Sequence, residues 1–176
     1  MRKAHFLLAP LVAALIAAPA AADNATPASN PQIDYAGFDR LVGELAPVRA
    51  THRLSWTDFA RAARTRGAIL LDARSADAFA RGHIEGAVNL PLTDFTAASL
   101  AAVIGRVDRP ILIYCNNNFT DNVAPVMLKS APLALNVPTF INLYGYGYEN
   151  IYELDGAYSI EDADIDWVRP QTYQQN

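Results

Sequence analysis

Two short, unbroken apolar runs constrain this chain more than anything else in it: Ala68-Ile69-Leu70-Leu71 and Ile111-Leu112-Ile113-Tyr114. Neither alternates with polar residues, so neither suits a strand with one wet face. Both suit a strand covered on both sides. Each run stops at a residue that carries chemistry, Asp72 after the first and Cys115 after the second. The flanking segments have helix punctuation. Ser55 precedes a helical pattern with Asp58 three residues on and Gly67 beyond its end, a start and a stop. Ser75 opens a short helix that stops at Gly82, and Thr96 opens another, with Leu100, Val103 and Ile104, that stops at Gly105. Further strands are expected at 53–54, 87–90 and 150–154, and a further helix near 139–146. Strands alternating with helices predict an α/β domain on a mainly parallel sheet. In open sheets of this kind ligands bind beyond the carboxyl ends of the strands. That is where Asp72 and Cys115 fall.

The start of the chain obeys a different logic. Arg2 and Lys3 are followed by an apolar run from Phe6 to Ala18 and then Ala20-Ala21-Ala22, the pattern of a secretory signal peptide over 1–22. The run is shorter than the ~20 apolar residues a spanning helix needs. The leader takes two of the 14 basic residues and none of the 18 acidic ones, so the mature chain is more acidic than the whole. With no block of Lys or Arg, a nucleic-acid partner is disfavoured. The expectation is a protein secreted or periplasmic, with no membrane association after the leader is removed. Residues 23–51 read as an N-terminal extension. Within it Tyr35, Phe38, Leu41, Val42 and Leu45 predict a short amphipathic helix over 34–46. The folded body is placed at 52–160 and an acidic, then polar, tail at 161–176, with Trp167 pinning that tail to the body.

Cys115 is the one cysteine, in a compartment where disulfides form. No internal disulfide is available to it, so it is either buried and inert or kept for its reactivity. After it come Asn116-Asn117-Asn118-Phe119-Thr120. Asn tolerates positive φ, and a loop that curls its backbone N–H groups toward one point makes an anion-binding nest. Centred on a thiol, such a nest lowers its pKa from about 8.5, and the side-chain amides add donors. The plainer reading is an Asn-rich turn beside a buried thiol.

The segment LLDARSADAFARGHIEGAVNLPL at 70–92 resembles the signature of rhodanese-like domains, D-x-R-x-x-x-E-F-x-x-G-H-I-x-G-A-x-N-x-P. The matches are Asp72, Arg74, Phe79, Gly82, His83, Ile84, Gly86, Ala87, Asn89 and Pro91. ILIYC with its loop, and GYENIYELDG at 147–156, resemble the family's active-site and closing strands. The resemblance spans roughly 52–160. It implies a five-stranded parallel sheet with helices on both faces, and a sulfurtransferase that needs no cofactor and no metal. Cys115 would be the nucleophile and Asn116, Asn117, Asn118, Phe119 and Thr120 the cradle of its persulfide. A small sulfur donor would load it and a thiophilic acceptor unload it. The phosphatases and arsenate reductases of this fold have a longer loop usually closed by Arg, and no Arg closes this one.

The chain also departs from the pattern. Asn117 and Asn118 stand where the family has Gly and often Arg or Lys, and a neutral cradle holds thiosulfate's two charges less well. Pro125, Pro132 and Pro138 break up 121–138, read as an insertion that covers Cys115, removes the helix dipole from it, or contacts a protein partner. The signature's Glu, the expected partner of Arg74, is Ala78, with Asp77 one residue off. Asp72 is expected to orient loop backbone near Cys115 and Arg74 to make a fold-stabilising ion pair. His83 is read as structural and His52 as a strand-end residue. Their spacing with Cys115 matches no metal site. Tyr144, Tyr146, Tyr148 and Tyr152 are read mostly as core, and Glu161 to Asp166 as a solvated face. The competing reading is a catalytically inactive binding or redox-sensing module on the same fold. A weaker third is a small-anion binder that uses the Asn cradle without covalent chemistry.

Overall fold

The computed structural model describes residues 30–169; the leader expected at 1–22 and the last residues of the tail lie outside them. From Asp34 to Arg169 the described chain is one compact unit. Five strands, β1 (Arg53–Leu54), β2 (Ile69–Asp72), β4 (Val88–Asn89), β5 (Ile111–Tyr114) and β6 (Ile151–Leu154), form one sheet in the order β1-β6-β5-β2-β4. Every pairing in it is parallel. The sheet is the one the two apolar runs demand: every residue of β2 and of β5 is buried.

Side chains alternate across a strand, and the two faces are covered differently. Ile69, Leu71, Ile111 and Ile113 face three helices, α1 (Tyr35–Thr51), α4 (Ala97–Val103) and α5 (Asn136–Gly145), through Leu45, Leu100, Phe140 and Leu143. Leu70, Leu112 and Tyr114 face the other way. They pack on Phe59 of α2 (Trp56–Ala63), on Phe119 and Val126, and on Ile160 and Ile165 near the C-terminal end. Ser55, Ser75 and Thr96 cap their helices as the sequence predicts, each accepting a backbone N–H three residues on. The second of these helices is α3 (Ala76–Arg81).

Three features differ from expectation. Helix α1 runs on to Thr51, although Pro47 lies inside it and cannot donate to the preceding turn. Leu45 is buried in the last turns, Val48 packs on the same core, and Arg49 bonds across to β6, so packing holds what propensity would release. Helix α5 begins at Asn136, ahead of Thr139, with Pro138 in its first turn. A proline there costs little, because the first N–H groups of a helix have no intrahelical partner. Finally, β3 (His83–Ile84) and β7 (Trp167–Val168) pair antiparallel in a two-stranded sheet of their own. Strands this short carry no periodicity to read. Among the described residues no helix is long and apolar enough to cross a membrane.

Candidate active site

Cys115 follows β5 directly, and its side chain is 1% exposed. The next residues do not open into a ring of free amides. Asn116–Asn118 form one 3-10 turn whose ends are closed by side chains: Asn118 Oδ1 accepts the Cys115 N–H at 2.9 Å, and the Cys115 sulfur accepts from the Asn118 N–H. The Phe119 N–H is bonded to the Asn116 carbonyl and the Thr120 N–H to the Tyr158 carbonyl. Phe119 is itself a core residue, edge-on to Tyr114 and Trp167. The cradle expected over 116–120 is therefore narrowed. Phe119 and Thr120 direct no N–H at the sulfur, because sheet and turn carbonyls take both.

Their place is filled from a distant part of the chain. Beside the N–H of Asn117, those of Leu135 and Asn136 at the start of α5 point to the Cys115 sulfur and favour its thiolate. The insertion does not remove the helix from the site. It delivers the N-terminus of α5 to the thiol, where amides and dipole both favour negative charge. Burial is nevertheless the largest influence and pushes the Cys115 thiol up. The lowered pKa expected from the loop is thus reversed in direction, since desolvation outweighs the amides and Glu153 adds its charge against the thiolate.

The side chains of Asn116, Asn117 and Asn118 each bond to surrounding backbone. Asn116 Nδ2 donates to the Met127 carbonyl at 2.6 Å and Asn117 Nδ2 to the Lys129 carbonyl at 2.8 Å, while Asn117 Oδ1 accepts the Lys129 N–H. They clamp the insertion onto the loop. Asn118 Nδ2 donates to the carbonyls of Leu154 and Gly156, tying the loop to the end of β6.

Asp72 and Arg74, expected as supports, form one buried unit, 0% and 2% exposed. Arg74 Nε and Nη2 reach the Asp72 carboxylate, and Nη2 also donates to the Gly82 carbonyl at 2.8 Å. The Tyr114 hydroxyl donates to Asp72 Oδ2 at 2.6 Å. Asp72 orients its own loop, through the Arg74 N–H, and not the Cys115 loop. Its influence reaches the insertion through Arg74 Nη1, which donates to the Pro125 carbonyl. Asp72 is thus the counter-ion where the signature Glu is missing. Asp77 pairs instead with Arg81 in solvent.

Three further signature residues, Phe79, Gly82 and His83, pack within the fold. His83 stacks on Phe79, ring centroids 3.8 Å apart, with Nδ1 on the Phe79 carbonyl. A Cβ on Gly82 would sit 2.6 Å from the Trp167 indole nitrogen, so Trp167 pins the tail as expected and leaves room only for glycine. His52 caps α1 through the Val48 carbonyl. Among the four tyrosines, Tyr148 is core and Tyr146 is 43% exposed. In the acidic run the charged side chains are exposed, but Ile165 is buried and the Asp166 carbonyl accepts the Glu85 N–H.

Sequence reasoning missed the charge around the thiol. A pocket holding Cys115, Asn117 and Asn136 is also lined by Arg49, Arg53, Glu153 and Asp155. Arg49 from α1 grips Glu153 with two bonds, Nε to Oε2 at 2.6 Å and Nη2 to Oε1 at 2.5 Å. A loop without charge is therefore set in a pocket with four charged groups, Arg49 and Arg53 from segments that carry no recognisable motif and Glu153 and Asp155 from the closing strand and its end.

Comparison with known proteins agrees with this architecture. A rhodanese-like domain family model matches residues 55–159. The chain belongs to the rhodanese-like domain family. It is 28% identical over 104 residues to the thiosulfate sulfurtransferase GlpE of Stutzerimonas stutzeri, covering 57% of this chain and 76% of that protein. It is 26% identical over 106 residues to GlpE of Pseudomonas fluorescens, covering 58% and 78%. Among solved structures, a thiosulfate sulfurtransferase from Pseudomonas aeruginosa is 28% identical with a TM-score of 0.43, covering 59% of this chain and 17% of that one. The Helicobacter pylori protein hp1203 is 17% identical with a TM-score of 0.46, covering 73% and 98%. This rhodanese-like domain is thus homologous to sulfurtransferases. Helix α1 and the Arg49 it carries lie outside the matched residues.

Proposed function

We propose that this chain is an exported sulfurtransferase that carries sulfane sulfur as a persulfide on Cys115. The observation that carries the reading is the convergence of the Asn117, Leu135 and Asn136 N–H groups on the Cys115 sulfur at the end of the central strand. Donors fixed on the place where negative charge develops are what sulfur transfer requires. The thiolate attacks the outer sulfur of a donor. A new S–S bond forms, the donor's bond to that sulfur breaks, and the electron pair leaves with the departing group: sulfite from thiosulfate, a thiolate from a persulfide. A thiophilic acceptor then attacks the outer sulfur and expels the Cys115 thiolate. Export is the part of this reading that the basic start and apolar run of 1–22 support, with the mature chain in a periplasm or outside the cell. The outer side of the insertion, with Val123, Met127 and Leu128 exposed, is the surface proposed for a protein partner.

The test is the intact mass of the mature protein after thiosulfate and, separately, a small persulfide, with Cys115→Ser as control. The expected result is a gain of one sulfur atom that dithiothreitol or cyanide removes and the variant never shows. A folded protein that gains nothing from either donor overturns the reading. That outcome would favour the inactive binding or redox module, for which the 1% exposure of Cys115 and its raised thiol pKa already speak.

A further inference from the structure

The pocket beside Cys115 has two features that thiosulfate does not match. Its charges come in opposite pairs. Arg49 and Glu153 are closed on each other, with Glu153 5% exposed. Arg53 and Asp155 make one loose contact of 3.4 Å, and their side chains are 47% and 52% exposed, so both can turn to a ligand. A dianion entering here meets two carboxylates as well as two guanidiniums.

The second feature is Asn136, 3% exposed and lining the same pocket. Its Nδ2 donates to Asn118 Oδ1, which also accepts the Cys115 N–H. The amide cannot turn over without setting two oxygens face to face, so Oδ1 is held as an acceptor. Nothing among the described residues donates to it. A buried acceptor left unpaired is destabilising, and a ligand with an N–H or ammonium group relieves it. Thiosulfate has only acceptor oxygens.

We propose that this pocket takes a small sulfur compound with an α-amino-acid head, its carboxylate on Arg53 and its ammonium between Asp155 and Asn136 Oδ1. The assignment deepens the sulfur-carrier reading and rests on it for the chemistry. The Cys115 thiolate attacks the outer sulfur of an amino-acid persulfide. The S–S bond within the donor breaks, and the amino-acid thiolate leaves with the electron pair and takes up the proton Cys115 gave up.

Two measurements separate pocket from chemistry. S-methylcysteine has the head but no transferable sulfur. Titrated into the protein, it is expected to shift the Asn136 side-chain amide resonances saturably. N-acetyl-S-methylcysteine lacks the ammonium and S-methylcysteamine the carboxylate, and each should bind roughly tenfold more weakly, the scale of one charge-assisted contact. Arg53→Gln and Asp155→Asn, at half-exposed positions, should each weaken S-methylcysteine by a similar factor. No shift, equal shifts for all three compounds, or an equal shift from sulfate overturns the proposal. The companion measurement is sulfur loading, expected to be faster from cysteine persulfide than from thiosulfate. S-methylcysteine binding without loading from any donor would sink the carrier and leave the pocket assigned. Loading without S-methylcysteine binding would do the reverse.

Discussion

At Cys115 two opposing influences meet on one sulfur. Burial raises the thiol pKa and Glu153 adds to it, while the amides of Asn136, Asn117 and Leu135 lower it, and burial prevails. The free protein therefore holds Cys115 as a thiol at neutral pH. Since the thiolate is the nucleophile, the rate of iodoacetamide alkylation should climb with pH to a midpoint above the ordinary value of about 8.5. Glu153→Gln removes a charge that opposes the thiolate and should move that midpoint down. A wild-type midpoint below the ordinary value would contradict this account. The linkage follows in sign: a folded pKa above the unfolded one means that the fold holds the proton more tightly. The resulting stability is complete below about pH 8.5 and is lost as pH rises through the folded value. Cys115→Ala should accordingly lose less stability than the wild type on the alkaline side, as read by urea unfolding at several pH values.

At the scale of elements, α1 completes a site that belongs to the strands. Its Arg49 is the cation for Glu153 on β6, a residue buried beside the thiol. Breaking a fully buried pair costs about 3–5 kcal/mol. Arg49 itself is 37% exposed, and solvent reduces the loss, so Arg49→Ala should cost about 1–3 kcal/mol in urea unfolding. Adding Glu153→Gln to that variant should return part of it, because the stranded charge is gone. A double variant less stable than the single one would show that the pair is not what binds α1 to β6. The reach of this helix was only half legible. Tyr35, Phe38 and Leu41 at helical spacing announce an amphipathic helix, yet nothing local to Arg49 announces a carboxylate 104 residues away.

For the molecule as a whole, the C-terminal segment closes the fold over the signature. Trp167 lies against Gly82 and Phe119, beside Arg74, with its guanidinium 5.5 Å from the indole ring. Trp167→Ala should destabilise the protein by about 2 kcal/mol, below the ~3–5 of a fully buried aromatic because this ring is only half-buried. The same variant should raise amide exchange at His83 and Ile84, whose strand pairs with Trp167 and Val168. Unchanged exchange there would mean that β3 stands without β7.

What could be known from sequence alone is what local pattern encodes. Two unbroken apolar runs must be strands covered on both faces, and the serine and threonine caps with their closing glycines must bound helices. The order of those elements leaves Asp72 and Cys115 at carboxyl ends, and the signature at 72–91 carries the family. These inferences hold because they depend on neighbours a few residues apart. The tertiary structure decided the rest. The amides of Leu135 and Asn136 reach the sulfur only because the insertion folds back. Arg53, Glu153 and Asp155 share a pocket only because parallel strands set β1 beside β6, and Arg49 joins them from α1. The direction of the thiol's pKa follows from burial that no stretch of sequence contains. Each is a meeting of distant segments, and a linear pattern records which groups are present but not which ones meet.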